Sequence, residues 1–163
     1  MLNNQDYSDI DFSDIYMMRL TPDGISRTWH ELKMPIELAL PPISNPSENP
    51  ARMTRILEDL LVGSLQCFIF YVKQDSKTVP FGMCITAIID AIGGNRSLLL
   101  YAAYGHTSFI KGSGLVSCIK KLSEYASGQG CNSITAYSNI PTVIDAIRDL
   151  GGNTDYRLLT LEV

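Results

Sequence analysis

The chain has 163 residues, of which 45% are hydrophobic and 18% are charged, and its formal net charge is −4. A chain of this length and apolar content can bury the core of one domain, and its composition is not that of a disordered protein. Its mild acidity argues against a nucleic-acid partner, because proteins that bind the phosphate backbone are usually basic.

The sequence indicates neither a membrane span nor a metal site. No run of about 18 uncharged apolar residues occurs, which is roughly what a transmembrane helix needs. The first residues have neither the basic nor the apolar region of a secretion signal. The cysteines form no C-x-x-C pair, and the two histidines, His30 and His106, lie far apart. We therefore expect a cytoplasmic protein with four reduced core cysteines, which are Cys67, Cys84, Cys118 and Cys131.

The first 50 residues are punctuated by prolines. Residues 14–20 can form a short helix or a strand, and the later prolines of this region include Pro35, Pro41, Pro42, Pro46 and Pro50. Because prolines interrupt helices and central strands, the sequence predicts an irregular arm over residues 1–50. This arm is expected to pack on a domain that covers residues 51–163. Trp29 is expected to hold it there, or to anchor an interface.

From residue 51 onward, the hydrophobic pattern predicts a regular order of helices and strands. A helix with an apolar stripe from Met53 to Leu61 is stopped by Gly63. The pattern then predicts strands over residues 67–72, 79–90 and 97–104, a helix that ends at Gly128, a strand over 133–137, a helix beginning near Pro141 and a closing strand over 156–163. Antiparallel pairing followed by one strand–helix–strand crossover predicts the α+β (α/β) class, with a mixed, mostly antiparallel central sheet and helices on both faces.

The junction between the third predicted strand and the next helix is rich in glycine. It reads Gly105-His106-Thr107-Ser108-Phe109-Ile110-Lys111-Gly112-Ser113-Gly114. Free backbone N–H groups and the helix dipole suit a phosphate there, although a plain turn explains the same glycines. The junction does not match the P-loop motif G-x-x-x-x-G-K-[ST]. It also misses the dinucleotide motif G-x-G-x-x-G, because Ser117 stands in place of the third glycine.

Two short motifs flank the predicted strand over residues 133–137. The first is Phe109-Ile110-Lys111-Gly112-Ser113-Gly114, and the second is Leu150-Gly151-Gly152. Together with the order of elements over about residues 79–163, they resemble the GNAT superfamily of N-acetyltransferases. In that superfamily the loop reads Gln/Arg-x-x-Gly-x-Gly/Ala, and the later helix ends in a leucine–glycine pair. The resemblance is to a degenerate form, similar to GNAT-like proteins of tailed bacteriophages.

The resemblance implies a site for acetyl-CoA or CoA. The strand that ends at Tyr104 and the strand that begins near Ser133 are expected to part and admit this cofactor. Its pantetheine arm is expected to pair with the backbone of Ala102 and Tyr104. Its pyrophosphate is expected on the backbone of Ile110, Lys111, Gly112, Ser113, Gly114 and Leu115. Asn139 lies within one residue of a family asparagine near the cofactor, although a helix cap explains it equally well.

The resemblance implies fewer catalytic residues. The family loop begins with Gln or Arg where this chain has Phe109, and the family's usual acid is a tyrosine where this chain has Ile147. Many members carry a carboxylate on the cofactor strand, but residues 98–104 hold none. His106 is a candidate base, with an ordinary loop histidine as the alternative, and Tyr104 is a candidate phenol, with a packing role as the alternative.

Two functions therefore remain open. The first is an N-acetyltransferase that transfers acetyl from acetyl-CoA to a small-molecule amine or to a protein N-terminus. The second is a GNAT-shaped protein without catalysis, such as a bacteriophage virion component, located in the host cytoplasm or the virion. In the second case, residues 20–50 are expected to contact protein partners or to mediate self-assembly.

Overall fold

The structure, a computed structural model, describes residues 11–41, 51–105 and 113–155. These ranges contain five strands and four helices. In chain order they are β1 (Tyr16–Arg19), α1 (Pro22–Ala39), α2 (Arg52–Val62), β2 (Leu65–Gln74), β3 (Lys77–Ala91), β4 (Asn95–Gly105), α3 (Ser113–Gly128), β5 (Ser133–Ala136) and α4 (Pro141–Asp149).

The five strands form one mixed sheet in the order β1-β2-β3-β4-β5. The first three pairings are antiparallel, and the pairing of β4 with β5 is parallel. A parallel pair needs a crossover connection, and α3 supplies it. The predicted fold class, a mostly antiparallel sheet with helices on both faces, is confirmed. The closing strand predicted over residues 156–163 lies outside the described residues.

Each face of the sheet carries its own hydrophobic core, because successive side chains of a strand point to opposite faces. The α1/α2 core contains Ile25, Leu32, Ile36, Ile56, Leu60, Cys67, Ile69, Met83, Ile85 and Ala102. The α3 core contains Ile15, Phe68, Phe70, Val72, Phe81, Cys84, Leu98, Cys118, Leu122 and Ala126. The central strands are thus covered on both sides, which explains their nearly continuous apolar sequences.

Local sequence signals explain where several of these elements end. Gly63 follows α2 in the left-handed conformation, with φ of 85°, and this stops the helix as predicted. Between β2 and β3, Asp75 and Ser76 both have positive φ, at 48° and 63°, and form the tight turn that joins these two antiparallel strands. No helix in the described ranges is long and apolar enough to cross a membrane.

The described part of the N-terminal region is not the irregular arm that the prolines predicted. Residues 16–19 form an edge strand, and α1 is an 18-residue helix that contains Pro35. Thr21 caps this helix by accepting a hydrogen bond from the N–H of Gly24 at 3.1 Å, and Pro22 fits its first turn. The division of the chain at residue 50 stays a prediction.

Burial explains how α1 accommodates an internal proline. A proline inside a helix costs about 3 kcal/mol, because it removes one hydrogen bond and crowds the preceding turn. Ile25, Leu32 and Ile36 are almost fully buried against the sheet and α2, and each such side chain contributes about 1.5–3 kcal/mol. Trp29 packs against the same core, as predicted. Tertiary packing therefore outweighs the local cost of Pro35.

The account of α1 as part of the core predicts different effects for two leucines of the same helix. Leu32 is 2% exposed and Leu38 is 67% exposed. Leu32→Ala is expected to lower the free energy of unfolding by about 2–5 kcal/mol, because it leaves a cavity. The matched control Leu38→Ala is expected to change it by less than about 0.5 kcal/mol. Urea unfolding followed by circular dichroism measures both, and equal effects would contradict the placement of α1.

Candidate functional site

β4 and β5 separate before β4 ends. They pair from Ser97 opposite Ser133 to Leu100 opposite Ala136. β5 stops at Ala136, whereas β4 continues to Gly105. Beyond Leu100 the edge of β4 is not paired with β5, and we call this place, at the carboxyl ends of two neighbouring parallel strands, the crevice. Ligands commonly bind at such a place in sheets with helices on both faces.

One extra residue in β4 coincides with this separation. Ile85 of β3 lies opposite Ala102, whereas its neighbour Thr86 lies opposite Leu100. Tyr101 is therefore a β-bulge, with no residue of β3 opposite it. A bulge bends its strand and increases the local twist. The bend at Tyr101 explains why β4 leaves β5 after Leu100.

Both strand residues predicted to hold the pantetheine arm lie beyond the last β4–β5 pair. Ala102 is buried in the α1/α2 core, and Tyr104 is partly buried against it. These side chains hold the bent half of β4 against the helices. The backbone of residues 101–105 then borders the crevice on the side that β5 has left.

The N-terminus of α3 lies at the same end of the sheet as the crevice, because α3 connects two parallel strands. The N–H groups in the first turn of a helix have no partner inside the helix, and the dipole adds positive charge there. Gly114 is buried in this turn and Leu115 is partly buried. Outside the described residues lie His106, Ile110, Lys111, Gly112 and the side chain of Ser113.

Asn139 does not cap a helix. The N-cap residue of α4 is Ile140, which has no side-chain cap, and its N–H donates to the hydroxyl of Ser138 at 3.1 Å. Asn139 is exposed, three residues beyond the end of β5. The prediction that Asn139 caps a helix is therefore wrong. Asn139 is instead an exposed residue that follows β5, the shorter of the two strands that border the crevice.

Comparison with known proteins finds similarity in structure. No protein-family model matches the sequence, and no curated protein is significantly similar to it. A predicted acetyltransferase with acetyl-CoA from Clostridium acetobutylicum matches with a TM-score of 0.62 and 13% identity, over 91% of this chain and 96% of that chain. AAC(6')-Iy, in complex with the bisubstrate analogue CoA-S-monomethyl-acetylneamine, matches with a TM-score of 0.64 and 13% identity, over 93% and 99%.

A third match is ribosomal-protein-alanine N-acetyltransferase from Brucella melitensis biovar Abortus 2308. Its TM-score is 0.61 at 14% identity, over 92% of this chain and 100% of that chain. This chain has a GNAT-like fold. The similarity covers nearly the whole length of each of these proteins, so the GNAT-like fold includes β1 and α1 of the present chain.

Two side chains that the resemblance associates with catalysis, a tyrosine acid and a carboxylate on the cofactor strand, are missing from their expected positions in this chain. Ile147, at the position of the usual tyrosine acid, is a partly buried residue of α4. Residues 98–104 of β4 include no carboxylate. Of the two predicted catalytic residues, Tyr104 is the one that the structure describes, and it lies on the bent half of β4.

The sequence did not predict a polar contact beside the crevice. Nη2 of Arg52 donates to the hydroxyl of Tyr101 at 3.2 Å and to the carbonyl oxygen of Pro41 at 3.4 Å. Arg52 begins α2 and Pro41 follows α1, so this side chain connects both helices to the bulge. Arg52 and Tyr101 are 49 residues apart in sequence, and no local sequence pattern predicts a contact between residues at that separation.

The cysteines are poor candidates for a covalent intermediate. All four are free, and three of them are buried. Burial raises the pKa of Cys67 to about 12 and raises the pKa of Cys118. Burial, and then the neighbouring thiols of Cys67 and Cys118, raise the pKa of Cys84. Because the thiolate is the reactive form, these thiols are inert near neutral pH.

This burial predicts the order in which the thiols react. Cys131, which is only partly buried, is expected to be alkylated by iodoacetamide in the native protein before the other three. Cys67, Cys84 and Cys118 are expected to react only after unfolding in guanidinium, which serves as the control for complete labelling. Mass spectrometry of the peptides measures this order, and rapid native labelling of Cys84 would contradict it.

Proposed function

We propose that this protein is an acetyl-CoA-dependent N-acetyltransferase that transfers an acetyl group to an amine. The observation that carries the proposal is the crevice between β4 and β5 at the Tyr101 bulge. It occurs in a fold shared with a predicted acetyltransferase with acetyl-CoA and with AAC(6')-Iy bound to a bisubstrate analogue. A chain with amide groups and a diphosphate fits such a crevice, which offers a strand edge and a helix N-terminus.

The residues that would hold acetyl-CoA follow from this arrangement. The backbone of Ala102 and Tyr104 would pair with the pantetheine arm along the edge that β5 has left. The first turn of α3, at Ser113, Gly114 and Leu115, would receive the pyrophosphate, together with the preceding residues Ile110, Lys111 and Gly112. Asn139, exposed beyond β5, would approach the cofactor from the other side of the crevice.

The reaction needs one proton acceptor and one proton donor. Bound acetyl-CoA supplies an acetyl thioester. The nitrogen of the acceptor amine forms a bond to the carbonyl carbon, the carbon–sulfur bond breaks, and the sulfur leaves with the electron pair. We assign the proton from the amine to His106, acting through water in the crevice. The hydroxyl of Tyr104 is assigned, likewise through water, as the proton donor to the leaving sulfur, because the sulfur would lie farther along β4 than Tyr104. Direct transfer also agrees with the inert cysteines.

A second candidate function is ligand or protein binding without catalysis, as in a virion component of a bacteriophage. The missing carboxylate in residues 98–104 and the isoleucine at position 147 favour it. The arm that was expected to recruit partners in that case is largely helix α1, which packs into the α1/α2 core. In the described part of this region, Met34 and Leu38 are exposed apolar side chains that a partner would contact.

Acetyl-CoA binding tests the first proposal. A titration with acetyl-CoA is expected to stabilise the protein by about 2–4 kcal/mol at concentrations well above the dissociation constant. It is also expected to slow amide hydrogen exchange within residues 101–105, because the pantetheine arm would cover that edge. Residues 65–74 of β2, which do not border the crevice, serve as the internal control. No melting shift and no added protection at millimolar acetyl-CoA would contradict the proposal.

The assigned proton transfers predict losses of rate rather than of binding. Tyr104→Phe and His106→Ala are each expected to lower kcat by about 100-fold or more, the contribution of a general acid or base. Acetyl-CoA affinity is expected to stay within about twofold in both variants, because the cofactor is held by backbone groups. Tyr71→Phe, on β2 and away from the crevice, is the matched control. Unchanged kcat in Tyr104→Phe would remove that residue from the mechanism.

A further inference from the structure

We propose that Arg52 and Tyr101 bind an anionic group, a phosphate or a carboxylate, on the acceptor amine. This inference rests on the proposed acetyl transfer and narrows its acceptor class. It concerns the α1/α2 side of the crevice, whereas the cofactor residues line the strand edge and the start of α3.

Tyr101 connects the Arg52–Tyr101 pair to the expected position of the acetyl group of acetyl-CoA. A cofactor with its pyrophosphate at α3 and its arm along Tyr104 and then Ala102 directs its acetyl end toward Tyr101, the next residue along β4. The ring of Tyr101 packs against the α1/α2 core, and its hydroxyl meets Arg52 on that side. A group held by Arg52 would therefore lie beside the point where β4 and β5 part.

Arg52 has unused hydrogen-bonding capacity. Its Nη2 makes both hydrogen bonds, to Tyr101 and to Pro41, whereas Nη1 is buried without a hydrogen-bond partner among the described residues. A buried donor without a partner is unfavourable, and more so when it is charged. The residue as a whole is only partly buried, so a small rotation of its side chain would bring Nη1 to the surface to meet a ligand.

The charge of Arg52 is also not balanced by a nearby carboxylate in the part of the chain that the structure describes. Three other arginines there do have such a partner: Arg27 contacts Asp23 at 2.9 Å, Arg96 contacts Asp90 at 3.3 Å and Arg148 contacts Asp145 at 2.8 Å. A planar guanidinium matches the paired oxygens of a carboxylate or phosphate. Arg52 is thus suited to bind an anion from outside the described chain.

The start of α2 adds a second, independent contribution. Arg52 is the first residue of this 11-residue helix, and its N-cap residue, Ala51, provides no side-chain cap. The first N–H groups of the helix and the positive end of its dipole therefore surround the base of the arginine. The positive end of this dipole therefore adds to the attraction of a negative group toward this end of α2.

The competing explanation is that Arg52 only links α1, α2 and β4. The test compares two amines that differ by one anionic group, ethanolamine and O-phosphoethanolamine. Calorimetry with and without bound CoA measures the affinity of the wild-type protein for each amine. We expect it to bind O-phosphoethanolamine at least about tenfold more tightly than ethanolamine, which is the effect of one or more charge-assisted hydrogen bonds. Arg52→Met is expected to abolish this preference, and Tyr101→Phe to reduce it. Arg55→Met, an exposed arginine of the same helix, is the matched control and is expected to keep it.

Melting temperatures identify any variant that fails to fold. If Arg52→Met fails to fold, Arg52→Lys replaces it. This variant keeps the charge but loses the planar guanidinium, and it is expected to weaken the preference for O-phosphoethanolamine. Equal binding of the two amines by the wild type, or an unchanged preference in Arg52→Met or Arg52→Lys, would overturn the inference. Acetylation assays separate it from the proposed function. Acetylation of both amines without preference rejects the anion site alone, whereas Arg52-dependent binding without acetylation supports the site and rejects the transferase.

Discussion

The pairing of β4 with β5 ends at Leu100, and the next residue of β4, Tyr101, is a β-bulge. No residue of β3 lies opposite Tyr101, and a bulge bends its strand. The separation leaves the backbone of residues 101–105 at the edge of a crevice, at the end of the sheet where α3 begins. Each part of the proposed chemistry depends on this one irregularity. Without the bulge, β4 would lose the bend that turns residues 101–105 away from the line of β5.

The bend is held in place by packing on the α1/α2 side. Ala102 and Tyr104 pack in the α1/α2 core, and Arg52 connects the bulge to the start of α2 and to the residues that follow α1. On the other face, Leu98 is fully buried in the α3 core just before the bend. The crevice is thus formed by the folded chain itself, so a ligand does not have to separate the strands, and less of its binding free energy is lost to ordering.

The sequence predicted the elements after residue 51 well, because their signals are local. Helical spacing and Gly63 define α2, and positive-φ turn residues define the hairpin of β2 and β3. The prediction failed at α1, where the cost of Pro35 is local but the compensating burial of Ile25, Leu32 and Ile36 is not. The bulge was missed for a related reason, since the continuous apolar run of residues 98–104 hides which residue lacks a partner. The contact of Arg52 with Tyr101 depends on the finished fold and leaves no sequence pattern.

A crystal structure of the protein with CoA tests the central claim most directly. The account predicts that the pantetheine arm lies between residues 101–105 of β4 and the chain that follows Ala136, with its thiol end toward Tyr101. It also predicts that the diphosphate contacts the first turn of α3. A structure in which β4 and β5 pair through to Gly105, or in which CoA lies elsewhere on the surface, would contradict the account.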